Sequence, residues 1–187
     1  MATNSTSQIN RDVDLILRIG KADQKALALL YRLYYPRLFE FIARITRNHD
    51  IVEDVINEVM YMVWKKAGSY NHHCQPSTWI FGIAYNKARQ AYSKASHSDE
   101  ESLEELDQDS PFLAENNPGL QQIEVNDMLE SAFGALSLDQ RAVIELTYFQ
   151  GWHYGEIAEL MECSENTVKT RMYYARKKLA LALKGSR

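Results

Sequence analysis

The sequence has little of what secreted, membrane-spanning or sheet-rich proteins require. Its 187 residues include only two cysteines, four prolines and eight glycines. Two cysteines allow at most one disulfide, which excludes a secreted disulfide framework and favours reduced thiols. No eighteen apolar residues run together, and the polar start of the chain, 1–10, lacks the apolar core of a signal peptide. We therefore expect a cytoplasmic protein that does not insert into a membrane.

Helical patterns dominate what is present. Apolar residues make up 45% of the chain, with eleven tyrosines and three tryptophans, which is enough to bury a substantial core. They recur every three or four residues, as on an amphipathic helix. Because glycine and proline seldom interrupt this pattern, we predict an all-α fold. It should consist of two small helical domains, called modules below, joined by an acidic flexible linker, with a helix-turn-helix in the C-terminal module.

The net charge of -4 hides a strong division along the chain. Residues 1–96 carry 13 Lys and Arg against 8 Asp and Glu, and residues 164–187 carry 7 against 1. Between them, residues 97–127 have ten acids and no Lys or Arg. A polyanion would meet two basic segments rather than a mildly acidic average, so the composition is compatible with nucleic-acid binding.

The acidic stretch sets the predicted domain organisation. Residues 97–119 combine like charges, serine, asparagine and two prolines, a composition that favours an extended connector over a packed core. We place module 1 at residues 10–96, the linker at 97–119 and module 2 at 120–187. Within module 1, Pro36 is expected to start or bend a helix.

One helix of module 1 is predicted to begin after Asp50. Glu53 follows Asp50 by three residues, the spacing of a capping box, and apolar residues then recur at helical spacing. The predicted buried stripe comprises Ile51, Val52, Val55, Ile56, Val59, Met60 and Val63. The opposite face carries Asp54, Asn57, Glu58 and Tyr61. Spacing alone leaves open whether this face is merely solvated or binds a partner.

The next predicted helix is capped by Ser77 or Thr78, after a turn-rich segment at 68–76. Polar and aromatic residues fall roughly along one of its sides, with cations close by: Trp79, Asn86, Gln90, Ser93, Lys87 and Lys94. Aromatic rings, amides and ammonium groups together suit single-stranded nucleic acid, because bases stack, edges pair with amides and phosphates meet cations. The alternative is that Trp79 belongs to the core and the cations are only solvated.

Module 2 has the spacing of a helix-turn-helix. Ser137 and Gln140 form a predicted capping box, a second helix begins near Tyr154, and Ser164 is the predicted cap of a third. Val168 and Met172 would face the core. Residues expected near base edges are Thr167, Lys169, Thr170, Arg171 and Tyr174, and those expected at phosphates are Arg176, Lys177 and Lys178. An ordinary helical hairpin with a basic end is the alternative.

Taken together, three motifs resemble those of bacterial extracytoplasmic-function (ECF) sigma factors. The first runs from Asp50 to Val59 and is followed by Trp64, and the second runs from Ser77 to Asn86. The third includes Tyr154 to Ala158, Thr167 to Arg171 and Ala175-Arg176. The resemblance covers nearly all of the chain outside the acidic linker. It implies a transcription initiation factor that binds core RNA polymerase and directs it to promoter DNA.

The resemblance also assigns surfaces within module 1. Asp54, Asn57, Glu58 and Tyr61 would face the clamp of the polymerase, and an exposed anionic stripe suits a basic surface. Asn57 stands where the family more often has Gln. The -10 element would be melted and bound by Tyr70, Asn71, His72, Trp79, Asn86, Lys87 and Gln90, with the loop at 69–75 holding an extruded base. Contiguous His72, His73 and Cys74 suggest metal ligands, but such a run does not supply a closed tetrahedral site. No metal or cofactor is therefore expected.

In module 2 the resemblance implies recognition of the -35 element as duplex DNA. The residues assigned to it are Ser164, Thr167, Lys169, Thr170, Arg171, Tyr174, Arg176 and Lys178. Arg171 is the better candidate for bidentate contact with guanine and Lys169 for phosphate. Arg176 and Lys178 should act through salt-dependent attraction to the backbone.

Further expectations concern the linker and partners. The linker either occupies the polymerase channel through which nascent RNA passes or only keeps the modules apart. By family analogy the chain acts as a monomer on polymerase and is held inactive by an anti-sigma protein, often membrane-bound. Two other functional classes fit the sequence less well. A conventional DNA-binding regulator would leave the face from Trp79 to Asn86 without a role. A metal-dependent hydrolase lacks a recognisable catalytic motif, so we expect no enzymatic activity of the chain itself.

Overall fold

The computed structural model describes residues 2–100 and 132–184, and the side chains of 7–95 and 132–182. Module 1 contains α1 (Ala2–Ile19), α2 (Gln24–Thr46), α3 (Val52–Lys66) and α4 (Pro76–Glu100). Module 2 contains α5 (Leu138–Ile144), α6 (Tyr154–Leu160) and α7 (Glu165–Lys184). No strand occurs within these ranges, which confirms the all-α prediction.

The predicted linker and domain boundaries remain predictions. Helix α4 continues to Glu100, four residues beyond position 96, where module 1 was expected to end. The rest of the predicted linker lies outside the described residues. Among the described residues, no helix has both the length and the apolar character needed to span a bilayer.

Asp23 starts α2 and links it to α1. Its carboxylate accepts hydrogen bonds from the backbone N–H groups of Lys25 and Ala26 at 2.9 and 3.1 Å, and it pairs with Arg18 of α1 at 2.8 Å. The hydrogen bond from Arg18 lowers the pKa of this carboxyl. Pro36 lies inside α2, so the expectation that a helix starts there is wrong. Helix α2 is continuous through Pro36, from Gln24 to Thr46.

Two predicted helix caps in module 1 are wrong. Ile51 occupies the N-cap position of α3, without a side-chain cap, and Asn48 forms the preceding turn by accepting a hydrogen bond from the Asp50 N–H at 3.0 Å. Helix α4 begins at Pro76, ahead of Ser77 and Thr78. Proline suits the first helical position because its fixed φ is already helical and its missing N–H would have no partner there.

The core of module 1 forms where α2, α3 and α4 pack together. Phe41 of α2 and Phe81 of α4 meet edge to face, with ring centroids 5.2 Å apart. The predicted apolar stripe of α3 is buried from Val52 to Val63, although Ile51 is only partly covered. Asp12 of α1 is also buried, and it accepts a hydrogen bond from the hydroxyl of Tyr34 at 2.7 Å. The buried carboxylate thereby keeps a hydrogen-bond partner.

The local signals predicted in module 2 are confirmed. Ser137 and Gln140 exchange both hydrogen bonds of a capping box. A π-helical turn at Glu145–Phe149 extends α5, and Gly151 follows with a φ of 71°. The hydroxyl of Ser164 accepts a hydrogen bond from the Thr167 N–H at 3.1 Å at the start of α7. Val168 and Met172 are buried, as a helix-turn-helix requires.

Candidate nucleic-acid interface

The polar stripe of α3 is exposed. Asp54, Asn57, Glu58 and Tyr61 all lie on the outer face, and Tyr61 has 62% of its surface accessible. The opposite face of the same helix is anchored in the core by Val55, Val59 and neighbouring apolar residues. The backbone of α3 therefore presents two carboxylates, an amide and an aromatic ring on a rigid support, an arrangement that can bind a basic protein surface.

Glu58 and Lys87, which the sequence analysis placed in different surfaces, form an ion pair. The Lys87 Nζ lies 2.8 Å from Glu58 Oε2. The hydrogen bond from Lys87 lowers the pKa of Glu58, and the desolvation of Glu58 opposes this effect. The pair joins the outer face of α3 to the predicted DNA-binding side of α4. Each group is therefore partly neutralised by the other before any partner binds.

The loop after α3 is organised around Tyr70. Its ring lies 4.8 Å from His72 and 5.1 Å from Trp79 between centroids, and its hydroxyl donates a hydrogen bond to the carbonyl of Cys74 at 2.6 Å. Burial raises the pKa of Tyr70 to about 12. Only 9% of Tyr70 is exposed, so this residue supports the loop from beneath and does not present its ring to solvent.

The other predicted -10 residues lie in the same loop and along α4. Asn71 and His72 are exposed, and His72 adopts a left-handed φ of 60°. On α4, Trp79 and Asn86 are half-buried and Gln90 is exposed. Trp79 packs against the hydrophobic core, as expected if it were a core residue, but part of its ring remains accessible. The loop and α4 thus carry amide side chains and one partly accessible aromatic ring.

The contiguous His72, His73 and Cys74 do not converge on one point. Within the described residues, no group of three or more His, Cys, Asp or Glu side chains has an arrangement that could hold a metal ion. Both Cys74 and Cys163 are free thiols and half-buried. Burial raises the pKa of the Cys74 thiol, which favours its neutral form.

The start of α7 combines capping with exposed polar groups. Ser164 and Thr167 hydrogen-bond to each other, with 2.8 Å between their hydroxyl oxygens. Thr170 and Tyr174 are exposed, and Lys169 is exposed while paired with Glu165 at 2.8 Å. Both cap residues are therefore occupied by local hydrogen bonds, whereas the next turn of the helix is accessible to a ligand.

The cations farther along α7 contact other parts of module 2. Arg176 donates a hydrogen bond to the hydroxyl of Tyr148, and Lys178 donates one to the carbonyl of Ala135 at 3.1 Å. Both side chains remain at the surface. Arg176 and Lys178 lie where phosphate contacts are expected. DNA would have to replace their hydrogen bonds to Tyr148 and Ala135.

Arg171 differs most from its expected position. Its guanidinium is half-buried and forms an ion pair with Asp139, with 2.5 Å between Nη2 and Oδ2. Asp139 also accepts a hydrogen bond from the hydroxyl of Tyr85 in α4 at 2.6 Å. The sulfur atoms of Met161 and Cys163 flank the same guanidinium at 3.9 and 3.7 Å. Contact between Arg171 and a guanine therefore requires this ion pair to break.

The residues that hold Arg171 were not predicted from the sequence. Asp139 was hidden in the first turn of a short helix, and Tyr85 follows the apolar pattern of α4. Neither residue has a local signal for the contact, because 54 positions separate them in the chain. The contacts among Tyr85, Asp139 and Arg171 can be identified only once the packing of these distant segments is known.

Two family models match the chain in succession. The model for Sigma-70 region 2 matches residues 30–98, and the model for Sigma-70, region 4 matches residues 126–179. The two matches together span about two thirds of the chain. The first match contains α3 and all but the last two residues of α4, and the second contains the helix-turn-helix.

Relatives and solved structures align over most of the chain. The ECF RNA polymerase sigma factor SigK of Mycobacterium sp. (strain KMS) is 26% identical over 88% of this chain and 86% of that protein. The ECF RNA polymerase sigma-E factor of Escherichia coli (strain K12) is 27% identical over 88% of this chain and 90% of that protein.

Two structures share the fold. The sigma factor RpoE of Bartonella quintana, solved with the anti-sigma factor NepR, superposes with a TM-score of 0.68 at 26% identity, covering 87% of this chain and 99% of that chain. CnrH, solved with the cytosolic domain of CnrY, superposes with a TM-score of 0.69 at 21% identity, over 95% and 99% of the two chains. The two sigma regions in their order, together with these relatives, show that the chain belongs to the ECF sigma factors of bacterial RNA polymerase.

Proposed function

We propose that the chain binds core RNA polymerase through α3, opens the -10 element with the Tyr70 loop and α4, and binds the -35 element as duplex through α7. The observation that carries this proposal is the succession of region 2 and region 4 in one chain. The surfaces assigned to polymerase and to DNA are each exposed in part. Members of this family are initiation factors, and the polymerase performs the chemistry of RNA synthesis.

The division of labour follows from the side chains. The α3 stripe is anionic and aromatic, which suits a basic protein surface and repels DNA. The surface around Trp79, Asn86 and Gln90 has amides and a ring, which suit unpaired bases. A flipped base costs a few kcal/mol to extract, so a preformed loop such as that around Tyr70 is needed to hold it.

The -35 assignment depends on the first turns of α7. A recognition helix presents its N-terminal residues to base edges, and here Lys169, Thr170 and Tyr174 are exposed. Arg176 and Lys178 lie farther along, where backbone contacts supply affinity without sequence preference. Arg171 would join the base contacts after leaving Asp139.

A protein inhibitor is part of the proposal. Two solved relatives are complexes, one with the anti-sigma factor NepR and one with the cytosolic domain of CnrY. We propose that an anti-sigma protein likewise covers the polymerase-binding and DNA-binding surfaces of this chain. Such a protein should block the binding of core polymerase when it is added in purified form.

Reconstitution tests the function directly. Purified chain is added to core RNA polymerase and a genomic library of promoter fragments, and transcripts are sequenced. We expect initiation at a shared two-element motif. Asp54→Arg should abolish core binding and transcription because it places a cation toward a basic surface. Asp14→Arg makes the same charge change at an exposed position of α1 and should leave core binding and transcription unaffected. Unchanged core binding by Asp54→Arg would show that Asp54 does not bind the polymerase clamp. If the unmodified chain gives no transcript from any template, the proposed function is rejected.

A further inference from the structure

Arg141 of α5 is the most deeply buried arginine among the described side chains, with 4% of its surface exposed. Its Nε–H group is buried and has no hydrogen-bond partner within residues 7–95 and 132–182. Arginine keeps its proton in folded proteins, so Arg141 places a full positive charge where little water can solvate it. A buried charge of this kind is stabilised when an anionic group lies beside it.

The described part of the chain supplies no carboxylate for this guanidinium. Glu145 lies one turn farther along the chain, and its buried side chain pairs with Arg44 at 3.0 Å. Burial lowers the pKa of Arg141, a hydrogen bond with Tyr92 opposes this effect, and the positive charge of Arg47 lowers the pKa further. The two neighbours that act on its charge are therefore a tyrosine and a second arginine.

These neighbours leave one side of Arg141 accessible to a small ligand. Its Cζ atom lies 5.5 Å from the ring centroid of Tyr92 in α4, which is within the range of a cation–π contact. Arg47 follows α2 and lies against Gly134, where an added Cβ would be 2.3 Å from its Nη1. Because Arg47 and Gly134 are both exposed, a ligand can approach from their side.

Two guanidinium groups suit a phosphate group. Each guanidinium carries its N–H donors in a planar fork, and such a fork pairs with two phosphate oxygens at once. A phosphate monoester carries a charge of about -1.5 to -2 near neutral pH, so a single group can neutralise both arginines. The low dielectric constant around a buried side chain strengthens this attraction. The arrangement therefore favours a dianion over a singly charged anion.

We infer that Arg141 and Arg47, with Tyr92 beside them, form a binding site for a dianionic phosphate group. Inorganic phosphate or the terminal phosphate of a small phosphorylated metabolite, such as a nucleotide, supplies this group. The three residues lie outside the surfaces assigned above to polymerase and to promoter DNA. The inference goes beyond the proposed promoter function and does not depend on it, because the ligand binds the free chain.

Calorimetric titration of the full chain tests the site and distinguishes the two sources. The probes are inorganic phosphate, adenosine monophosphate and dimethyl phosphate, each at the same ionic strength set with chloride. We expect phosphate to bind, and dimethyl phosphate, a singly charged diester, to bind at least about tenfold more weakly. Tighter binding of adenosine monophosphate than of phosphate would identify a nucleotide as the source. Weaker binding of adenosine monophosphate would identify inorganic phosphate.

Substitutions of single arginines locate the site. Arg141→Met removes the buried charge and keeps a side chain of similar length, and it should weaken phosphate binding at least about tenfold. Arg47→Gln should act in the same direction. Arg18→Met is the matched control, because Arg18 pairs with Asp23 at the other end of α2 and should not affect phosphate binding. Phosphate should also raise the midpoint of thermal unfolding of the unmodified chain but not of Arg141→Met.

The inference is overturned if the folded, unmodified chain binds neither phosphate nor adenosine monophosphate, or if dimethyl phosphate binds as tightly as phosphate. Unchanged phosphate affinity in Arg141→Met would also overturn it. Should Arg141→Met fail to fold, unchanged affinity in the exposed variant Arg47→Gln has the same meaning. An equal loss of affinity in Arg18→Met would show that the ligand responds only to net charge and would reject the site. These titrations contain neither polymerase nor promoter, so failure of the promoter function would leave their outcome intact.

Discussion

At the scale of single residues, the contact between Glu58 and Lys87 connects the surface proposed to bind polymerase with the surface proposed to bind the -10 element. Both groups lie within hydrogen-bond distance at 2.8 Å, and Glu58 retains 59% exposure of its side chain. Such a pair contributes only about 0 to 1 kcal/mol to folding because water screens it. The pair matters more for the availability of Lys87, because a basic polymerase surface that binds Glu58 would free Lys87 to contact DNA.

We expect Lys87→Met to raise the pKa of Glu58 toward the ordinary glutamate value of about 4.3. The reason is that the hydrogen bond from Lys87 is the largest cause of the lowered pKa. A carboxyl pKa lowered by folding adds stability above its unfolded pKa, and this contribution is lost as pH falls through the folded pKa. The substitution should therefore reduce the loss of stability on acidification. Carboxyl-detected NMR titration measures the pKa directly.

Lys65→Met serves as the control for that titration, because Lys65 is an exposed cation in the last turn of the same helix. It should leave the pKa of Glu58 close to that of the unmodified chain. Equal values in Lys87→Met and the unmodified chain would show that the ion pair is absent in solution.

At the scale of elements, Gly151 and Gly155 lie near each other in sequence but have opposite conformational requirements. Gly151 ends the π-helical extension of α5 with a φ of 71°, whereas Gly155 lies in the first turn of α6. A Cβ at either position would meet no atom within 4 Å. Any difference between alanine substitutions therefore reports backbone preference and not steric conflict.

We expect Gly151→Ala to destabilise the chain by about 1 to 2 kcal/mol, because an alanine disfavours the left-handed region. Gly155→Ala should stabilise it by about 0.5 kcal/mol, since alanine loses less entropy in a helix. Urea unfolding of both variants measures the two changes in free energy. A stabilising effect of Gly151→Ala would contradict the left-handed turn.

Local signals predicted most of these elements. The cap at Ser164 and the capping box at Ser137 involve partners within a few positions, so a short stretch of sequence contains all of the interacting groups. Prediction was wrong where two local signals competed. Asn48 forms the turn before α3 in place of Asp50, and Pro36 is accommodated inside a helix that packing supports on both sides.

At the scale of the whole molecule, contacts between distant segments could not be predicted. Arg44 and Glu145 form an ion pair at 3.0 Å although they are 101 positions apart, and a single sequence contains no signal that pairs them. The same limit explains why Arg171 was expected at the DNA: its place in α7 is a local property, but its ion pair depends on how the whole helix-turn-helix packs. The candidate site was thus predictable as a set of elements and not as a set of available side chains.

The proposed function predicts that the length of the linker limits the reach between the two promoter elements, which leads to the last prediction. Deletion of 101–119 removes the predicted connector, and two modules of about 30 Å each cannot then cover about 85 Å of promoter. We expect the variant to retain core binding and to lose transcription from two-element promoters. Reconstituted transcription and core-binding assays measure the two effects separately. Full transcription by the deletion variant would contradict the spacer requirement.

A Gly/Ser segment of nineteen residues in place of 101–119 separates length from charge. A connector that acts only as a spacer predicts normal initiation and normal transcript escape, because a flexible chain of equal length covers the same distance. Occupancy of a basic polymerase channel predicts altered escape with promoter binding retained, since the negative charge that attracts the channel is gone.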